Sequence, residues 1–174
     1  TFYFSNYKIL LFYVASFLLV NLSIIYGLKL LKKYNFLQII KSEGPSSHVK
    51  KKSTPTMGGL FFIPIFLTIL LLVEIPFEFL KPLLFFNFLG FFLIGLADDY
   101  LSIKKQTNLG LKGNEKFLLQ LFISSLFVIF INNQGLINNH FLLQDSINLN
   151  ALIIPIFLLT IIGFSNSVNL TNGL

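Results

Sequence analysis

Long apolar runs separated by short polar segments dominate this chain. A helix needs about 17 to 25 mainly apolar residues to cross roughly 30 Å of hydrocarbon. Five runs approach or reach that length: Ile9 to Leu31, Met57 to Val73, Phe79 to Ala97, Phe117 to Ile131 and Ala151 to Phe164. The last two are short, so their helices are expected to extend into the flanking Asn and Ser residues. No water is available in the bilayer core to satisfy an open backbone, so each span must be helical. The pattern therefore predicts an all-α polytopic membrane protein with about five transmembrane helices. The first run is longer than the roughly 7 to 15 residues of a signal-peptide core and lacks a small-x-small cleavage site, which makes it a retained helix.

Composition sharpens this picture. Hydrophobic residues make up 55% of the chain and charged residues 11%, against roughly 25% charged in soluble domains. The net charge of +6 comes from lysine alone. The absence of cysteine excludes disulfides and thiolate metal sites. Only His48 and His140 are present, which argues against a histidine-rich zinc site. Lysines cluster at 32, 33, 41, 50, 51 and 52, and again at 104, 105, 112 and 116, whereas Glu74 to Leu80 and Asn132 to Asn150 contain none. By the positive-inside rule the two basic loops are cytoplasmic, the amino terminus is external, and the tail after Phe164 returns to the cytoplasm. Every notable polar motif then falls on the cytoplasmic face.

The most informative of these motifs is Asp98-Asp99, which closes the third apolar run. Carboxylates at a bilayer boundary are costly unless they face water, a cation or a polar partner, so they mark a functional site by default. An acidic helix end also opposes the helix dipole. Adjacent helical positions point about 100° apart, so the two aspartates are expected to have different partners and roles. A Mg²⁺-dependent reaction on phosphates at the membrane surface would account for them.

In the first basic loop, Thr54 before Pro55 suits an N-cap followed by proline at the first helical position, so a helix is expected to start there. Its N-terminus, with Gly58 and Gly59 and the neighbouring lysines, would form an anion site. On residue type alone, the lysines serve equally as topology markers or lipid-headgroup contacts, and the glycines as helix-packing positions. Asn166, Asn169 and Asn172 recur every three residues and would line one drifting helical face able to bind a nucleobase, sugar or phosphate. An ordinary polar helix end in an Asn-rich chain explains them as well.

Taken in order, Glu43-Gly44-Pro45 with Ser47-His48, Lys51 before Thr54-Pro55-Thr56-Met57-Gly58-Gly59, Asp98-Asp99-Tyr100, Gly110-Leu111 with Gly113 and Lys116, and Asn169-Leu170-Thr171 resemble the phospho-N-acetylmuramoyl-pentapeptide transferase family (MraY). This family belongs to the polyprenyl-phosphate N-acetylhexosamine-1-phosphate transferases. The resemblance covers essentially the whole of residues 1–174, as a single membrane domain forming the amino-terminal half of a roughly ten-span transferase. The chain begins at Thr1 rather than Met and stops at Leu174, which fits a fragment of a longer protein.

The resemblance implies transfer of phospho-MurNAc-pentapeptide from UDP-MurNAc-pentapeptide to undecaprenyl phosphate, giving lipid I and UMP. Mg²⁺ is the implied cofactor, and the implied site lies on the cytoplasmic face of a bacterial-type plasma (inner) membrane. By matching position, Asp98 would deprotonate or orient the lipid phosphate, and Asp99 would assist at the metal or substrate. Lys51, Thr54 and Thr56 would contact phosphate with His48 nearby. Lys116, Asn169 and Asn172 complete the implied substrate-binding set, with Asn169 on the nucleotide side. Membrane lipids are expected partners, nucleic acid is not, and family enzymes are commonly homodimers.

Two departures matter. Family members usually carry Asp where this chain has Asn172, and an amide lacks the carboxylate's charge. A further metal-binding aspartate and a histidine-rich loop of the family fall beyond Leu174, so the carboxy-terminal half is expected as a partner and this half alone is not expected to catalyse. The competing readings are a sister UDP-GlcNAc polyprenyl-phosphate transferase, disfavoured by the Thr54 to Gly59 run, and a degenerate non-catalytic homologue. A transporter fits least, because the polar motifs gather on one face rather than at the midplane.

Overall fold

The computed structural model describes residues 6–37, 54–73, 77–107, 109–135 and 150–173. Five helices follow in chain order: α1 (Asn6–Lys33), α2 (Gly59–Leu72), α3 (Leu80–Lys105), α4 (Gly113–Asn133) and α5 (Asn150–Gly173). Among the described residues the only extended pairing is an isolated antiparallel bridge between Leu37 and Pro55. Leu10–Lys33, Leu80–Lys105 and Gly113–Asn133 are each long and apolar enough to cross a membrane, while Gly59–Leu72 and Leu152–Val168 are shorter apolar helices. Leu and Phe side chains stand exposed along all five helices. In water these would form a sticky apolar surface, but lipid satisfies them at no cost. The chain is thus an all-α polytopic membrane protein, as its apolar pattern predicts.

The described residues fall into two compact units, Thr1–Leu111 and Lys112–Leu174. In the first, α2 packs on both α1 and α3. Gly27 gives α1 its close approach to α2, because a Cβ there would enter the Phe61 ring. Ser23 Oγ donates to the Phe61 carbonyl at 2.7 Å across the same contact. Against α3, Phe66 meets Phe88 edge-on with centroids 4.8 Å apart, an arrangement worth about 0.5–1.5 kcal/mol beyond burial. In the second unit, α4 and α5 pair through a face of α4 where Gln120, Ser124 and Val128 are buried.

Helix ends differ from the sequence expectation in instructive ways. The helix expected to start at Thr54 starts instead at Gly59, with Gly58 as its N-cap. Pro55 is held in the bridge to Leu37, Thr56 N–H donates to the Phe36 carbonyl at 3.0 Å, and Met57 adopts φ +63°. A left-handed residue cannot lie inside a right-handed helix, so tertiary pairing overrides the local Thr-Pro signal.

The third helix does not end at the aspartates either. It continues through Asp98 and Asp99 to Lys105, with Lys104 and Lys105 in its last turn, where cations complement the dipole. Gln106 then adopts φ +52°, its N–H donates to the Ile103 carbonyl, and Thr107 N–H donates to the Ser102 carbonyl. This is a Schellman stop with Gln at the left-handed position. The dipole effect fades within one turn, so the expected penalty on the acidic pair does not arise. α4 and α5 extend beyond their apolar cores into Asn and Ser, as anticipated.

Candidate active site

The ends of three helices meet in the first unit. The chain leaves α1 at Lys33, and Phe36 N–H returns to the Leu31 carbonyl at 2.9 Å. The Leu37–Pro55 bridge and the Thr56–Phe36 bond tie the segment entering α2 to the end of α1. Met57, 8% exposed, then points its N–H at Asp99 Oδ2, 2.9 Å away. The Thr54 to Gly59 motif and the acidic pair are therefore directly joined.

Asp98 serves the other loop. After the Gln106 turn, the chain folds back on α3 so that Leu111 N–H donates to Asp98 Oδ1 at 2.9 Å. Lys105 Nζ donates to the Gly110 carbonyl, also at 2.9 Å, and holds the same segment. Gly110 is required there, because a Cβ would lie 2.5 Å from Asp98 Oδ1 and closer still to the Asp98 backbone. Both aspartates are half-buried. The different partners foreseen from their 100° offset are thus Met57 for Asp99 and Leu111 for Asp98.

The entry to α2 keeps donors available. The amides of Leu60 and Phe61 bond back to Met57 and Gly58. Those of Gly58 and Gly59 find no acceptor among the described residues, and a Cβ at Gly58 would meet nothing. Thr54 is exposed and Thr56 half-buried beside them. Exposed N–H groups at a helix N-terminus suit an oxyanion.

For a metal, the donor set is two neighbouring carboxylates. Among the described residues no group of three or more His, Cys, Asp or Glu could hold an ion. Mg²⁺ commonly takes one or two protein carboxylates and completes its shell with substrate oxygens and water, so the pair fits that ion.

Of the other expected residues, Lys116 lies in the first turn of α4, half-buried. Asn169 and Asn172 lie on α5, their side chains outside what is described, and His48 and Lys51 lie outside the described residues. Asn166 bonds to Gln120, 2.7 Å away, inside the second unit. Sequence reasoning passed over Met57 as a site residue, and a left-handed methionine has no local signature. It also passed over Gln120, although a lone amide in an apolar span was a usable signal.

Comparison with known proteins shows what the chain is similar to. The family model for glycosyl transferase family 4 matches residues 82–174, which include the acidic pair and the Asn run. The phospho-N-acetylmuramoyl-pentapeptide-transferase signature 1 matches residues 51–63, the entry to α2. The chain is 48% identical over 176 residues to the phospho-N-acetylmuramoyl-pentapeptide-transferase of Prochlorococcus marinus strain MIT 9301, covering 99% of this chain and 48% of that protein. It is 46% identical to the counterpart in strain MIT 9215, with the same coverage. The Clostridium kluyveri enzyme of that name is 34% identical, covering 97% of this chain and 54% of that protein. The chain thus spans about half the length of the curated relatives it matches. No solved structure matches it. With the family model matching more than half of its length, the chain belongs to glycosyl transferase family 4, and its segment 51–63 matches the phospho-N-acetylmuramoyl-pentapeptide-transferase signature 1.

Proposed function

We propose that this chain forms the amino-terminal half of a ten-span transferase of the plasma (inner) membrane. The enzyme moves phospho-MurNAc-pentapeptide from its UDP carrier to undecaprenyl phosphate at the cytoplasmic face, giving lipid I and UMP. The observation that carries this reading is the bond between Met57 N–H and Asp99 Oδ2. It sets an anion-binding helix entry beside an acidic pair, as a reaction between two phosphate-bearing substrates requires.

The roles follow from the chemistry. An oxygen of the lipid phosphate forms a bond to the sugar-bearing phosphorus as the bond from that phosphorus to UMP breaks. Asp98 takes the proton of the lipid phosphate or orients it. The amides of Gly58 and Gly59, with Thr54, Thr56, Lys51 and Lys116, offset the repulsion between the two anions. His48 would assist this group, and Asn169 and Asn172 would serve the nucleotide side. Asp98 and Asp99 would hold Mg²⁺, which supplies charge neutralisation for the pyrophosphate and the departing UMP.

The test is reconstitution of the protein containing this chain in vesicles with undecaprenyl phosphate and either UDP-MurNAc-pentapeptide or UDP-GlcNAc. UMP release with the first donor and none with the second is the expected result. The reverse preference would assign the protein to a sister transferase.

A further inference from the structure

The buried face of α4 carries a polar group that the proposed chemistry does not use. Gln120, Ser124 and Val128, 2%, 0% and 1% exposed, recur every four residues and so form one stripe. Asn166 of α5 spends its amide on two acceptors: Nδ2 donates to Gln120 Oε1 at 2.7 Å and to the Ile162 carbonyl one turn back at 2.9 Å. The second bond locks the amide to its own helix, so the first transmits the position of α4 to α5. Ser124, one turn from Gln120 and fully buried, is a small residue of the kind that lets two helices approach.

The rest of the buried contact is apolar or small, with Val128 and Ser124 on α4. Ile162 is buried, but Leu159 and Phe164 are 72% and 71% exposed. Lipid chains are as apolar as these side chains, so apolar contact between helices in a bilayer does little to oppose rotation or sliding. A single buried amide can set register, as polar core residues do in coiled coils. Asn169 follows Asn166 by three residues on α5, about 60° around the axis and one turn further along, and Asn172 repeats the step.

We propose that Gln120 is a positioning residue: through Asn166 it fixes the rotation and register of α5, and thereby where Asn169 and Asn172 stand toward the nucleotide. This rests on the assignment of Asn169 to the nucleotide side.

The test uses three variants. Gln120→Met keeps length and bulk but removes the acceptor, Gln120→Glu retains an accepting oxygen, and Asn166→Leu removes the other partner. The chain has no cysteine, so spin labels at cysteines replacing exposed Phe122 and Phe164 report the α4–α5 distance in lipid vesicles. The expected result is a narrow distance distribution in the parent, a broad one in Gln120→Met and Asn166→Leu, and a narrow one again in Gln120→Glu. In the complete transferase, Gln120→Met should raise KM for the UDP-linked donor about tenfold, leave KM for the lipid phosphate within twofold, and be rescued by Gln120→Glu. Unbroadened distances in both Gln120→Met and Asn166→Leu would overturn the proposal. Broadened distances with an unchanged donor KM would overturn the link to the nucleotide, and with it the role of Asn169. An equal rise in both KM values would mark a general structural defect and likewise overturn it.

Discussion

Met57 and Asp99 stand 42 positions apart in the chain and are joined by a 2.9 Å hydrogen bond from the Met57 amide to the Asp99 carboxylate. Met57 is also, with Asn35 and Gln106, one of the non-glycine residues at positive φ among the described residues, at +63°. Left-handed backbone costs a residue with a Cβ about 1–2 kcal/mol. The bond to Asp99 and the burial of the methionine side chain offset that cost. Strain of this kind gathers where a backbone must be held in one shape, which suits a loop that presents amides to a ligand.

Replacing Met57 tests this account. Met57→Val keeps an apolar side chain but places a β-branched residue at positive φ, where sterics are worst. It should destabilise the first unit relative to the parent, because valine adds β-branched crowding to the left-handed cost that methionine already carries. Met57→Asn tolerates the backbone but loses apolar burial. Thermal unfolding in detergent, compared with turnover of the complete enzyme, separates the two: Val should reduce turnover more than Asn at equal loss of stability. Equal turnover at equal stability would show that the left-handed backbone has no part in function.

The acidic pair makes a second prediction. Asp98→Asn keeps the shape of the side chain and an oxygen able to accept from Leu111 N–H, but it cannot take a proton or offer negative charge. Loss of a general base typically costs about 10²–10⁴-fold, so UMP release by the complete protein should fall by at least that factor while membrane insertion is unchanged. Near-normal release by a well-inserted variant would remove Asp98 from the chemistry.

Glycines in one motif should respond unequally. At Gly110 a Cβ would drive into the Asp98 backbone and carboxylate, whereas at Gly113 it would meet nothing. Gly110→Val should push the 109–111 segment off α3, break the Leu111–Asp98 bond and lower turnover more than tenfold, since small misplacements of catalytic groups are costly. Gly113→Ala should cost less than twofold. Steady-state kinetics on the two variants check this, and comparable losses would mean that the contact with Asp98 is not what Gly110 provides.

How much of this was legible in the sequence depends on whether the signal is local. The five apolar runs found the helices, because a span is defined by its own hydrophobicity. Their ends were harder. Thr54-Pro55 carries a strong local helix-start signal, yet the Phe36 carbonyl and the Asp99 carboxylate claim the amides of Thr56 and Met57, and both come from distant positions. Asp98-Asp99 looked like the end of a helix because apolarity stops there, but helicity persists to the lysines that favour a C-terminus. The divergence of the two aspartates was readable from helix geometry alone. Their partners were not, because each depends on how a loop folds back.

Membrane orientation provides the last prediction. The end of α1, the start of α2 and the end of α3 lie together, joined by the Thr56–Phe36 and Met57–Asp99 bonds. Lys32, Lys33, Lys104 and Lys105 therefore share one end of the first unit. Lys81, in the first turn of α3, sits at the opposite end and donates to the Leu71 carbonyl at 3.2 Å. Its charge is accounted for as a cap on the last turn of α2, where a cation complements the dipole. The basic end should therefore face the cytoplasm. Cysteines introduced at exposed Thr54 and Gln106 should resist an impermeant thiol reagent applied to intact cells, whereas one at exposed Glu78 should be labelled. Labelling of Thr54→Cys or Gln106→Cys from outside, with Glu78→Cys protected, would invert the topology and move the candidate site to the outer face.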